Sequence, residues 1–186
     1  MGDKEVDMIQ MKGSKNNVVL IGFMGCGKTT IGTKLAFLLK QECLDTDKLL
    51  EKKCGKSVSS IFAEEGEEVF RQMETELLQE LIQRKRKGVF SLGGGTPVRP
   101  ENRALLKELG GVVYLRIRPE TVYERLKGDV TRPLLRCENP LERIKQLIKE
   151  REEAYCSCAD VIVDVDEMPM DDIIDEIVFG LRKIGR

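Results

Sequence analysis

The stretch Val18-Val-Leu-Ile-Gly22-Phe-Met-Gly-Cys-Gly27-Lys28-Thr29-Thr30 decides how this chain folds. Its first four residues are aliphatic and uncharged, as in a strand buried on both faces. A glycine, four further residues and Gly27-Lys28-Thr29 follow, and the chain then runs on through Ile31, Leu35, Leu38 and Leu39 at helical spacing. Strand, glycine loop and helix in that order form a phosphate-binding loop, or P-loop. The glycines let backbone N–H groups turn inward around a β-phosphate, and the helix aims its positive end at the same place. Lys28 would neutralise the β and γ oxygens and Thr29 would ligate Mg²⁺ through its hydroxyl. Gly25, Cys26, Gly27, Lys28, Thr29 and Thr30 are therefore the expected ATP-binding residues, with Cys26 read as a small filler rather than a reactive thiol.

Outward from this loop, short β-branched runs recur at Val89-Phe-Ser-Leu92, Val112-Val-Tyr-Leu-Arg-Ile117 and Val161-Ile-Val163, with a weaker one ending at Cys43-Leu44. Helical periodicities lie between them: Val69, Phe70, Met73, Leu77, Leu81 and Ile82, then Leu141, Ile144, Leu147 and Ile148. A last amphipathic segment carries Ile173, Ile174, Ile177, Val178, Leu181 and Ile184, with Asp171 and Asp172 where acids suit a helix dipole. The alternation predicts an α/β fold of three layers, a five-stranded parallel sheet with helices on both faces and ligands at the carboxyl ends of the strands.

The bulk numbers narrow the class of activity. At 186 residues the chain suits one domain, and 31 basic against 32 acidic residues give a net charge of −1, which argues against nucleic acid as a partner. No apolar run approaches the roughly 20 residues of a membrane helix. The absence of histidine removes every imidazole-based mechanism, so proton transfer falls to carboxylates. Six cysteines without regular pairing suit reduced thiols in cytoplasm, and Cys156-Ser-Cys158 lacks the second pair a zinc site needs. Residues 1–17 resemble neither a secretory signal nor a transit peptide and are expected to form a flexible tail before a single domain over 18–186.

Five further segments carry candidate chemistry. Asp45-Thr-Asp47 closes the second strand, where alternate residues point the same way, so both carboxylates can face the cleft, one toward metal and one toward substrate. Asp47 has a second reading as the cap of the helix through Leu49 and Leu50, and spacing leaves both open. Gly93-Gly94-Gly95 follows the third strand, and three glycines imply something pressed against bare backbone, most simply the acceptor. Arg71 and Glu74 lie one turn apart, so the acid can orient the base. Thr131-Arg132-Pro133-Leu134-Leu135, near Arg125, Lys127 and Arg136, suits a mobile basic lid over 127–139, and Arg151 on a long helix can reach into the cleft.

Taken in order and spacing, the P-loop, Asp45-Thr-Asp47, Phe70-Arg71-x-x-Glu74, Ser91-Leu-Gly-Gly-Gly95, Thr131-Arg-Pro-Leu-Leu135 and Arg151-x-x-x-Tyr155 resemble shikimate kinase from Val18 to about Asp164. The resemblance implies a fold like that of nucleoside monophosphate kinases. It also implies transfer of the γ-phosphoryl of ATP to the 3-hydroxyl of shikimate on the way to chorismate, by a monomer. By the same resemblance Asp47, Arg71, Arg151 and Gly93, Gly94 and Gly95 would hold shikimate. Lys28, Asp47 and Arg132 would be catalytic, Arg125 and Arg132 would bind ATP, the first against adenine and the second at the transferring phosphoryl, and Mg²⁺ would sit on Thr29 with Asp45 acting through water.

One departure is the acidic Val163-Asp-Val-Asp-Glu-Met168, where some members place an arginine near adenine. The rival readings are a gluconate kinase, whose usual histidine-bearing segment has no counterpart here, another small-molecule P-loop kinase, and a nucleotide-binding paralogue without catalysis.

Overall fold

The computed structural model describes residues 17–127 and 137–185. Five strands form its centre: β1 (Val18–Ile21), β2 (Cys43–Asp45), β3 (Val89–Ser91), β4 (Gly111–Arg116) and β5 (Val161–Asp164). They lie in the order β2-β3-β1-β4-β5, and every neighbouring pair is parallel. The five strands coincide with the five hydrophobic runs, with ends moved by about a residue. Parallel neighbours require crossovers, and helices supply them: α1 (Lys28–Leu39), α2 (Thr46–Cys54), α3 (Val58–Glu65), α4 (Glu67–Gln83), α5 (Pro100–Leu109), α6 (Pro119–Leu126), α7 (Pro140–Cys158) and α8 (Met170–Ile184). The helices α3, α5 and α6 are additions to the sequence reading. Each is short, at 8 to 10 residues, and α5 and α6 both open on proline, which suits a first helical turn.

Alternation along β1 divides the core. Val18 and Leu20 join Ile31, Leu35, Val113, Leu115, Val163, Ile173 and Ile177 on one face of the sheet. Val19 and Ile21 join Leu50, Phe70, Leu78, Phe90, Tyr114 and Tyr155 on the other. The helix α7 feeds both clusters, giving Ile144 and Leu147 to the first and Tyr155 and Cys158 to the second, so its middle crosses the sheet near the strand ends. No helix among the described residues is long and apolar enough to cross a membrane.

Asn17, placed in the tail by sequence, is built into the base of the sheet. Its side chain donates 2.9 Å hydrogen bonds to the carbonyls of Arg86 and Leu109 and accepts one from Gly88 N, while its own carbonyl accepts from Gly111 N. A lone polar residue before a strand carries no periodic signal, and only the closing of the fold brings its partners, 69 and 92 positions away, within reach. Residues 1–16 and the lid motif 131–135, with Arg132 and Arg136, lie outside the described residues. The described edges of the expected lid belong to helix ends. Lys127 follows α6 and pairs with Glu124, and Asn139 caps α7 by accepting from Glu142 N.

Candidate active site

The P-loop sits where β1 ends. Gly22, Gly25 and Gly27 have φ of 142°, 79° and 95°, the left-handed region that other residues avoid. At Gly22 a β-carbon would also stand 2.6 Å from the Leu115 carbonyl oxygen, so both backbone angle and space require glycine. Lys28 donates from Nζ to the carbonyls of Gly22 and Phe23 at 2.8 and 3.0 Å, curled against its own loop. Cys26 is buried, with Sγ 3.0 Å from where a Gly22 β-carbon would lie, and fills the space beneath the turn. Arg125 on α6 donates from Nη1 to the Gly25 carbonyl at 2.9 Å, laying its guanidinium along the outside of the loop.

Thr29, at the start of α1, meets the next strand. Its hydroxyl donates to Asp45 Oδ2 at 2.9 Å, and Ser91 Oγ lies 3.5 Å from both groups. Three hard oxygen donors, one of them a carboxylate, suit Mg²⁺, which favours a few direct protein ligands and retains water. Asp45 also caps α2, accepting from Lys48 N, so the capping role weighed for Asp47 belongs to Asp45. The strand ends at Asp45 and helix begins at Thr46, so the two carboxylates diverge and do not follow strand alternation. Asp45 faces the P-loop, whereas Asp47 Oδ1 lies 2.8 Å from the position of a β-carbon on Gly93. Buried Thr46 stitches the strands between them, accepting from Gly93 N and donating to the Ser91 carbonyl.

The glycine run lies against Arg71 and Glu74. A β-carbon at Gly95 would stand 2.3 Å from the Arg71 guanidinium, and one at Gly93 would stand 2.6 Å from Glu74 Oε1. The bare backbone therefore makes room for the protein's own side chains. Arg71 donates to Glu74 Oε2 at 2.7 Å and to Glu67 Oε1 at 2.9 Å. Glu74 is 2% exposed and also accepts from the Thr96 hydroxyl. The Arg71 guanidinium lies 5.7 and 5.6 Å from the ring centres of Phe62 and Phe70, which pack against each other with their planes tilted by 42°. Burial opposes the Arg71 charge, but the carboxylates of Glu74 and Glu67 outweigh it and raise its pKa further. Fixed this firmly, the guanidinium is a rigid fork for a planar anion.

Arg151 approaches from α7. Its Nη1 lies 3.4 Å from the Gly94 carbonyl oxygen and its guanidinium carbon 5.7 Å from the centre of the Phe23 ring in the P-loop. The site thus gathers Asp45, Asp47, Arg71, Gly93, Gly94, Gly95 and Arg151 around the P-loop, with Arg125 on its rim. Sequence reading missed Thr46, Phe62, Glu67 and Thr96 as supports. Glu67 stands four residues before Arg71 on α4, a helical spacing the reading passed over, whereas Phe62 lies on α3 and reaches Arg71 only when the two helices pack. The acids at the end of β5 and just beyond it are taken up by arginines: Asp164 pairs with Arg116, while Asp166 and Glu167 pair with Arg118.

A model of the shikimate kinase family matches residues 24–182, nearly the whole described fold. The chain belongs to the shikimate kinase family. A curated shikimate kinase of Francisella tularensis subsp. holarctica is 44% identical over 161 residues, 87% of this chain and 92% of its relative. Among solved structures, a shikimate kinase from Acinetobacter baumannii in complex with shikimate superposes with a TM-score of 0.82 at 39% identity, covering 88% of this chain and 91% of that one. A gluconokinase from Sinorhizobium meliloti shares the fold alone, with a TM-score of 0.58 at 16% identity over 94% of this chain and 95% of that one. Family membership makes the chain a kinase and disfavours both the gluconate kinase reading and that of an idle nucleotide binder.

Proposed function

We propose that the protein transfers the γ-phosphoryl group of ATP to the 3-hydroxyl of shikimate, giving shikimate 3-phosphate and ADP, as a cytoplasmic monomer. The observation that carries this reading is the pair of guanidinium groups at the glycine turn, Arg71 against Gly95 and Arg151 against Gly94, facing a P-loop across Asp47. Two cationic forks, with the Asp47 carboxylate at the same glycine turn, suit a small acid that also bears a hydroxyl to be phosphorylated. A nucleoside acceptor would call for apolar walls around a base, and gluconate kinase likeness is limited to the fold.

Arg71 and Arg151 hold the shikimate carboxylate, and the backbone of Gly93, Gly94 and Gly95 lines its ring. Asp47 orients the 3-hydroxyl and accepts its proton as the oxygen bonds to the γ-phosphorus and the bond to the β–γ bridging oxygen breaks. The backbone of Gly25, Cys26 and Gly27 cradles the phosphates, with Lys28, Thr29 and Thr30, and Lys28 moves from the Gly22 and Phe23 carbonyls to phosphate oxygen. Thr29 would hold Mg²⁺ directly and Asp45 through water, and the ion would supply neutralising charge to the phosphates. Arg125 lies against adenine, and Arg132, outside the described residues, steadies the transferring group. A loose transition state asks for position and charge more than for a strong base.

The test is coupled ADP release with ATP and Mg²⁺, comparing shikimate, gluconate and nucleoside monophosphates as acceptors. Turnover dependent on shikimate, with formation of shikimate 3-phosphate, is expected. Turnover with gluconate or a nucleotide and none with shikimate would overturn the reading.

A further inference from the structure

The carbonyl of Gly94 receives two donors of unequal quality. The Tyr155 hydroxyl lies 2.5 Å from it, a short and direct bond, whereas Arg151 Nη1 stands off at 3.4 Å. Tyr155 and Arg151 are one turn apart on α7, so both side chains project toward the glycine turn. The tyrosine ring is fully buried and packs against the ring of Tyr114, with centres 4.9 Å apart, which fixes the place of its hydroxyl. Gly94 is itself pressed on the P-loop: a β-carbon there would stand 3.3 Å from Gly22 O and 3.7 Å from Met24 N. Burial raises the pKa of the Tyr155 phenol, with the neighbouring Arg151 acting the other way, so the hydroxyl remains a donor at neutral pH.

A part-buried carbonyl needs a donor. Without the tyrosine hydroxyl, the donor nearest to hand is Arg151, whose guanidinium would be drawn onto Gly94 and away from ligand. We propose that Tyr155 is a positioning residue for the acceptor: by satisfying the Gly94 carbonyl it leaves the Arg151 fork open to the substrate carboxylate and holds the turn against the P-loop. The role rests on the assignment of shikimate to this site, and it extends that assignment to a residue that touches no substrate.

The experiment compares the parent enzyme with Tyr155→Phe, Arg151→Lys, the double variant and Tyr114→Phe. Removing one hydroxyl keeps the ring and its stacking, so Tyr155→Phe folds, and thermal unfolding is followed in parallel. Tyr114→Phe is the control for a merely structural hydroxyl. It deletes the bond to Glu152, at 2.7 Å on the same helix, without contact to the glycine turn. Tyr155→Phe is expected to raise the KM for shikimate about tenfold with the KM for ATP changed less than twofold, while Tyr114→Phe leaves both unchanged. In the double variant the Tyr155→Phe factor should shrink to about threefold or less, because Arg151 is no longer there to be displaced.

An unchanged shikimate KM in Tyr155→Phe would overturn the proposal. So would equal rises in both KM values, or full multiplication of the two factors in the double variant. If the parent itself gave no turnover with shikimate, the functional reading would fall first and the role of Tyr155 with it. Parental turnover with an indifferent Tyr155→Phe removes the positioning role alone.

Discussion

Arg71 and Gly95 are in a contact that no side chain at position 95 could share. A β-carbon there would stand 2.3 Å from the guanidinium carbon and from both of its terminal nitrogens. Gly95 has φ of −97°, which any residue adopts, so the demand for glycine comes from the arginine and not from the backbone.

Gly95→Ala separates these causes. The fold can admit a methyl group only by swinging Arg71 off its carboxylates, and because Glu74 is buried the unfolding midpoint should fall as well. The displaced guanidinium loses its bonds to Glu74 and Glu67, and the KM for shikimate should rise by about tenfold or more, the cost of one charged hydrogen-bonding group. Steady-state kinetics with each substrate varied in turn, beside a thermal melt, checks this; an unchanged shikimate KM would refute the role given to Arg71.

Lys28→Met should lower kcat by about 10² or more, the scale of losing one charge-stabilising donor at a reacting centre. Thermal stability should hold, since the Lys28 ammonium bonds within its own loop, to the Gly22 and Phe23 carbonyls and to Cys26 Sγ. A kcat within a few-fold of the parent would remove Lys28 from the chemistry.

Asn17→Ala probes the opposite end of the sheet. It deletes three side-chain hydrogen bonds that tie the entry of β1 to the chain at Arg86, Gly88 and Leu109. At about 1 kcal/mol each, the loss in stability should be about 2 to 3 kcal/mol by denaturant unfolding. Both KM values should stay at the parental level, because the P-loop and the acceptor site lie at the other ends of the strands.

Tyr114 gives the protein an alkaline limit. Burial, then its bond to Glu152, raise the phenol pKa. A group whose pKa is raised on folding contributes stability that is complete below its unfolded value, about 10, and is lost as pH rises through the folded one. The stability advantage of the parent over Tyr114→Phe should therefore shrink by on the order of 1 kcal/mol between about pH 8 and pH 11. Urea unfolding of both proteins at each pH checks the sign, and a gap that widens with pH would contradict it.

Much of this molecule is legible without coordinates because its signals are local. Val18–Ile21, the glycine spacing and the Lys-Thr pair lie within a dozen consecutive residues, and the backbone requirement at Gly25 and Gly27 is met inside the loop itself. The pairing of Arg71 with Glu74 follows from helical periodicity, and so does the common direction of Arg151 and Tyr155. Where the reading erred, it extended a local rule past its end. Strand alternation does not reach Asp47, because Asp45 caps a helix that begins one residue later.

The sequence by itself determined the class of fold, the phosphate-binding loop and the family, since each rests on order and spacing along the chain. Only the tertiary structure decided what the three glycines face, which carboxylate meets the P-loop and which meets the glycine turn, and that Asn17 belongs to the sheet. Those contacts join residues far apart in sequence, Gly95 to Arg71, Thr29 to Asp45, Gly94 to Tyr155 and Asn17 to Leu109. Their distances are set by the packing of β-strands and helices around two hydrophobic clusters, which no single segment encodes.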